Sequence, residues 1–115
     1  MPSMINCKKW DVILVPFPFS DLSSVKRRPA LIVSPKTYNT GKDVVIAYIT
    51  SQVNSPLRFG DYKLQKWKEA GLPKPSLIRM KFATIDKTII VKKLGKLENI
   101  DSEEIEKILL AFFKS

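Results

Sequence analysis

Prolines cut the apolar runs of this chain into short pieces, which points to a fold of short strands. Asp11-Val12-Ile13-Leu14-Val15 is a β-branched and aliphatic run of strand length. Pro16 and Pro18 follow it and remove two ladder donors, so the first strand is expected to stop there. Ala30-Leu31-Ile32-Val33 is framed by Pro29 and Pro35 and reads as the second strand. Asn39-Thr40-Gly41-Lys42 reads as a turn with Gly41 free to take a positive φ. Residues 43–49 form a third strand that runs into Thr50-Ser51-Gln52, three hydrogen-bonding side chains in succession. Residues 59–64 suit a short edge strand, and residues 65–70 a single helical turn ended by Gly71, with Trp67 as a packing anchor. Pro73 and Pro75 forbid regular structure until Ser76. Residues 77–82 then read as a strand with Arg79 and Lys81 on one face, and residues 88–94 as the last strand.

The clearest helix is expected over residues 101–114. Asp101 and Glu104 match a capping box, Ile100 and Ile105 a hydrophobic staple, and Ile105, Ile108, Leu109, Phe112 and Phe113 recur at helical spacing. The 115 residues read as one domain, with residues 1–9 as an N-terminal arm. No apolar run approaches the roughly 20 residues that a bilayer span needs, so no membrane partner is expected. One cysteine, Cys7, cannot form an internal disulfide, and without a secretory leader the reducing cytoplasm is the expected location. With no histidine, zinc clusters and histidine acid–base chemistry are excluded, and no metal or cofactor is expected.

Charge is unevenly spread. Residues 98–115 carry five acids against two lysines, whereas residues 1–97 carry 18 bases against six acids, a balance of +12. Such a field favours polyanions, though charge alone does not choose among RNA, DNA and an acidic protein. The cations concentrate at Lys26-Arg27-Arg28, which run straight into Pro29. Pro29 fixes its own φ and pushes Arg28 toward an extended conformation, so the guanidinium has less freedom to lose on gripping a phosphate. If the second and third strands form an antiparallel hairpin, the start of one lies beside the end of the other, and Arg28 and Thr50 meet on one rim. Phe17, at the root of the loop before the triplet, either plugs the end of the fold or stacks on a nucleobase; Phe19 stands in the same position.

The order of these motifs resembles the PemK-like branch of the MazF toxin family over roughly residues 8 to 112. The resemblance is carried by DVILVPFPFSD from Asp11 to Asp21, Arg27-Arg28-Pro29 with Ser34-Pro35, Ile49-Thr50-Ser51-Gln52, WKEAGL from Trp67 to Leu72 with Pro75-Ser76, and Thr84-Ile85-Asp86 up to Gly95. It implies a mainly β, SH3-like small β-barrel of about five to seven short strands with a C-terminal helix, usually a homodimer. It also implies a metal-independent, sequence-selective endoribonuclease held silent by an acidic antitoxin. On that resemblance Arg28 contacts the scissile phosphate and Thr50 supplies a hydroxyl. The RNA's own 2′-OH attacks, leaving a 2′,3′-cyclic phosphate and a 5′-OH. Phe17, Lys26, Arg27, Ser51, Gln52, Ser76, Arg79 and Lys81 are the expected contacts to single-stranded RNA. Two departures stand out. The glutamate that some members carry before the Arg-Pro pair is missing, which makes Asp21 the candidate general base, and the glycine that often precedes the first strand's acid is Trp10.

Two other classes compete with the nuclease. A non-catalytic barrel binding RNA through Arg27, Arg28, Arg79 and Lys81 would release it steeply with salt and give no products. A protein-directed poison like the gyrase inhibitors of the same fold would act without RNA loss.

Overall fold

The computed structural model describes residues 6–17 and 26–115. Six strands, β1 (Asp11–Phe17), β2 (Lys26–Ile32), β3 (Asp43–Thr50), β4 (Tyr62–Lys63), β5 (Leu77–Asp86) and β6 (Lys92–Lys96), form one antiparallel sheet in the order β4-β5-β3-β2-β1-β6. The sheet curls into a half-barrel and is followed by helix α2 (Asn99–Lys114); a four-residue helix α1 (Lys36–Asn39) joins β2 to β3. This is the mainly β class expected from the sequence.

Alternation along the strands builds two apolar clusters on opposite faces. Val12, Leu31, Ala47, Ile49 and Ile78 pack with Ile105 of α2 on one face, while Ile13, Val15, Ala30, Ile32, Val44 and Ile46 pack on the other. Cys7 belongs to the second cluster, so the arm is anchored from that residue onward.

The prolines behave differently from the sequence reading. β1 does not stop at Val15: it pairs through Pro16↔Arg27 to Phe17↔Lys26, and β2 begins at Lys26 rather than Ala30. Register explains this. The Val33 N–H donates to the Val45 carbonyl and the Val91 N–H to the Leu14 carbonyl. By the two-residue alternation of an antiparallel ladder, odd residues of β2 then face β3 and even residues of β1 face β6. Pro29 and Pro16 therefore aim their missing N–H groups away from the β1–β2 ladder, which survives both.

The cost falls on the other side of β2. The β2–β3 ladder covers only Ala30↔Tyr48 to Ile32↔Ile46, and the next bonded pair in that register would set Pro29, without a donor, against Ile49. Pairing of β2 with β3 thus stops at Ala30↔Tyr48, two pairs before Arg28 and Thr50 would face each other.

Several boundaries move. The expected turn at Asn39 to Lys42 loses Asn39 to the end of α1, and the glycines with positive φ are Gly60 and Gly71, not Gly41. The edge strand shrinks to Tyr62–Lys63. The last strand starts at Lys92, because Asp86 accepts from the Thr88 N–H and hydroxyl and turns Lys87–Ile89 into a 3-10 helix. Helix α2 begins at Asn99, with Glu98 at the cap position and no side-chain cap. Asp101 lies inside the first turn and is not the cap, and Ile100, 46% exposed, makes no staple. Trp10 explains its own oddity: it sits at φ 76, a conformation that suits the glycine expected there.

The turn ending at Gly71 is the one expected. The Leu72 N–H donates to the Trp67 carbonyl and the Gly71 N–H to Lys68, a Schellman pattern with Gly71 at φ +88. A Cβ on Gly71 would stand 2.2 Å from the Leu94 carbonyl oxygen. Gly71→Ala is therefore expected to destabilise the fold by about 2–3 kcal/mol, from left-handed strain plus backbone displacement, read as a lower urea midpoint.

Candidate phosphate and nucleic-acid site

Where β2 and β3 separate, two cavities open side by side, and Arg28, Pro29, Ile49 and Thr50 line both. The convergence expected from the sequence is present: two positions 22 residues apart share the same walls. Arg28 is exposed on β2, where its backbone pairs with Val15, and Thr50 closes β3. The Thr50 hydroxyl accepts from the Gln52 N–H at 3.2 Å, which orients Oγ1 and leaves its proton available to donate.

The second cavity, about 310 Å³, gathers Lys26, Arg27, Ser51 and Ser76 around that pair, together with Lys74, which the sequence reading missed. Ser76 is buried and its hydroxyl donates to the Lys74 carbonyl at 2.9 Å, fixing the loop that presents Lys74. Gln52 is exposed and acts on the site through its bond to Thr50 rather than as a wall of either cavity. Phe17 pairs with Lys26 through its backbone; its side chain, Phe19 and Asp21 lie outside the described residues.

The first cavity, about 180 Å³, takes in Arg79 and Lys81, as their shared face suggested, and adds Arg58 and Tyr48, which no periodicity marked. Opposite Ala47 and Tyr48 the register of β5 shifts by two residues, a bulge that places Lys81 with its Nζ 5.0 Å above the Tyr48 ring. Asp61 organises the arginines. Its Oδ1 accepts from Arg79 Nε at 3.2 Å, and its Oδ2 from Arg79 Nη2 at 3.0 Å and from the Arg58 N–H at 2.8 Å. The Asp61 side chain is fully covered while Arg79 keeps 16% exposure, so the cavity meets the cation and not the acid.

Burial pushes the Asp61 carboxyl up, but the hydrogen bonds from Arg79 and from the Arg58 N–H outweigh it and hold the group below its ordinary 3.8. The same hydrogen bond raises Arg79. A depressed carboxyl stabilises the fold above its unfolded value and loses that contribution as pH falls through the folded value. Stability from this pair is therefore expected to fade below pH 3.8, and Asp61→Asn should remove that part of the acid dependence in a denaturation series.

The model of the PemK-like, MazF-like toxin family of type II toxin-antitoxin systems matches residues 8–113. No curated protein sequence matches the chain at a significant level. Among solved structures, the fold is similar to a mycobacterial endoribonuclease in complex with its cognate antitoxin, at 17% identity and TM-score 0.73 over 91% of this chain and 92% of that one. It is also similar to a MazE–MazF complex from Deinococcus radiodurans, at 15% identity and TM-score 0.74 over 95% and 97%. A MazF toxin of Mycobacterium tuberculosis aligns at 18% identity and TM-score 0.67 over 90% and 96%.

Proposed function

The chain belongs to the PemK-like, MazF-like toxins of type II toxin-antitoxin systems, and on that premise we propose that it is a metal-independent endoribonuclease that cleaves single-stranded RNA at the Arg28–Thr50 rim. The observation that carries this reading is the shared lining of both cavities by those two residues, at the place where Pro29 ends the β2–β3 ladder. In the proposed reaction the 2′-OH of the RNA attacks the adjacent phosphorus, the bond to the 5′-oxygen breaks, that oxygen takes up a proton from water, and a 2′,3′-cyclic phosphate and a 5′-OH result. The enzyme's task is to stabilise charge on the pentacoordinate phosphate, which a guanidinium and an oriented hydroxyl can do without a protein nucleophile. Arg28 meets the phosphate oxygens as a fork and Thr50 donates its proton to one of them. Asp21 is the proposed base that takes the 2′-OH proton.

Lys26, Arg27 and Ser51 hold the backbone beside the cut, with Ser76 setting the loop beneath them. Gln52 positions Thr50, and Phe17 is a proposed stacking surface. The partner proposed to silence the enzyme is an acidic antitoxin that folds over the basic rim. The proposed working form is a cytoplasmic homodimer of one-domain subunits. The test is incubation of the purified protein with a long single-stranded RNA in EDTA, followed by end-group analysis. Fragments ending in 2′,3′-cyclic phosphate and 5′-OH are expected. RNA that is bound but left intact would point to the non-catalytic barrel.

A further inference from the structure

Arg28 and Thr50 divide two cavities of unlike chemistry. The larger is basic and polar, which suits the sugar–phosphate backbone. The smaller has an apolar floor of Val15, Ala30 and Ile46, each at most 2% exposed, which offers a phosphate nothing but suits the flat face of a base. Its walls are cationic: Arg58, Arg79 and Lys81. The carboxylate beside them, Asp61, is covered, with its oxygens already accepting from Arg79 and from the Arg58 N–H. Among the described residues no carboxylate or amide side chain lines this cavity, so its charged side chains present donors only.

We infer that this smaller cavity reads the base of the nucleotide next to the scissile phosphate, and that it selects a keto base, guanine or uracil, over adenine or cytosine. The inference rests on the nuclease reading of Arg28 and Thr50. Guanine offers O6 and N7 as adjacent acceptors that a guanidinium fork meets in bidentate fashion, and uracil offers O4. At the matching ring position adenine and cytosine carry an amino donor, N6 or N4, so against a cationic side chain donor faces donor and that one hydrogen bond goes unmade; the Tyr48 and Thr50 hydroxyls are the cavity's other polar side chains. Sequence is therefore read on one side of the cut, while the basic cavity grips the backbone on the other without regard to base.

The experiment is cleavage of a randomised single-stranded RNA pool followed by sequencing of the fragment ends. Wild type is expected to enrich guanine or uracil by roughly tenfold at one position flanking the cut and to show little preference on the opposite flank. Lys81→Glu, an exposed position, adds an acceptor to the wall and should move the preference toward adenine or cytosine. Cutting with no preference beside the cut, a preference for adenine or cytosine in wild type, or an unchanged preference in a folded Lys81→Glu protein would overturn the inference. Absence of cutting would overturn the nuclease reading instead. In that case, or should Lys81→Glu fail to fold, wild-type binding to short RNAs made uncleavable by a 2′-deoxy nucleotide reads the cavity alone. Roughly tenfold tighter binding for guanine or uracil at one of the two nucleotides flanking the blocked phosphate supports the subsite, and equal binding to all four bases at both overturns it.

Discussion

Replacing Arg28 by alanine is expected to slow RNA cleavage about 100- to 1000-fold while leaving the protein folded, the loss seen when one preorganised donor to a charged transition state is removed. The fold should be indifferent because the side chain is exposed and the backbone pairing with Val15 does not need it. Arg28→Lys keeps the charge but loses the planar fork, so it is expected to recover only part of the rate. Single-turnover cleavage, with circular dichroism as the control for folding, separates these outcomes. A loss of RNA binding in proportion to the loss of rate would assign Arg28 to ground-state grip, whereas a loss of rate at saturating RNA assigns it to the transition state.

The largest expected effect on stability lies away from the site, at Asp101. This residue is fully buried, and its carboxylate accepts from the Tyr62 hydroxyl at 2.6 Å, the Gln65 N–H at 2.9 Å and the Lys66 N–H at 2.8 Å. It ties α2 to the segment that carries the Schellman turn. Asp101→Ala removes three hydrogen bonds to one buried carboxylate, from the part-buried Tyr62 hydroxyl and the Gln65 and Lys66 N–H groups, and is expected to cost about 3–5 kcal/mol, a large fraction of the stability of a domain this size. Asp101→Asn keeps one acceptor and should cost less; equal urea midpoints for the two variants would contradict this account.

Tyr62 supplies an independent readout. Burial first, and then its hydrogen bond to Asp101, push the phenol up from 10 to about 12. A group raised on folding stabilises below its unfolded value and loses that contribution as pH rises through the folded one. Stability from this contact should hold below pH 10 and be lost toward pH 12. Loss of the Asp101 acceptor should lower the phenol's titration midpoint.

Asp101 also shows why parts of the fold were not legible in the sequence. An acid three residues before Glu104 fits a capping box, but helix α2 starts at Asn99, and the acid turns inward to cap the chain near Gln65 instead. Local pattern could not foresee a partner 36 residues away. Proline misled in a related way. Its missing donor ends a strand only when it faces a neighbour, and Pro16 and Pro29 both face away from the β1–β2 ladder. The site was more legible: the hairpin brings Arg28 and Thr50 to one rim even though β2–β3 pairing stops at Ala30↔Tyr48, and alternation put Arg79 and Lys81 on one face. Arg58 and Tyr48 were not, since a buried Asp61 positions one and a bulge in β5 exposes the other to Lys81.

The central claim is that Arg28 and Thr50 act on one phosphate, and a double-mutant cycle on the cleavage rate measures it directly. Wild type, Arg28→Ala, Thr50→Ala and the double variant are compared at saturating RNA in EDTA. Residues that act as a unit give a double variant little slower than the worse single one, and that is the result expected here. Fully multiplicative losses, or cleavage unchanged in both single variants, would contradict the claim and leave the rim a site of binding alone.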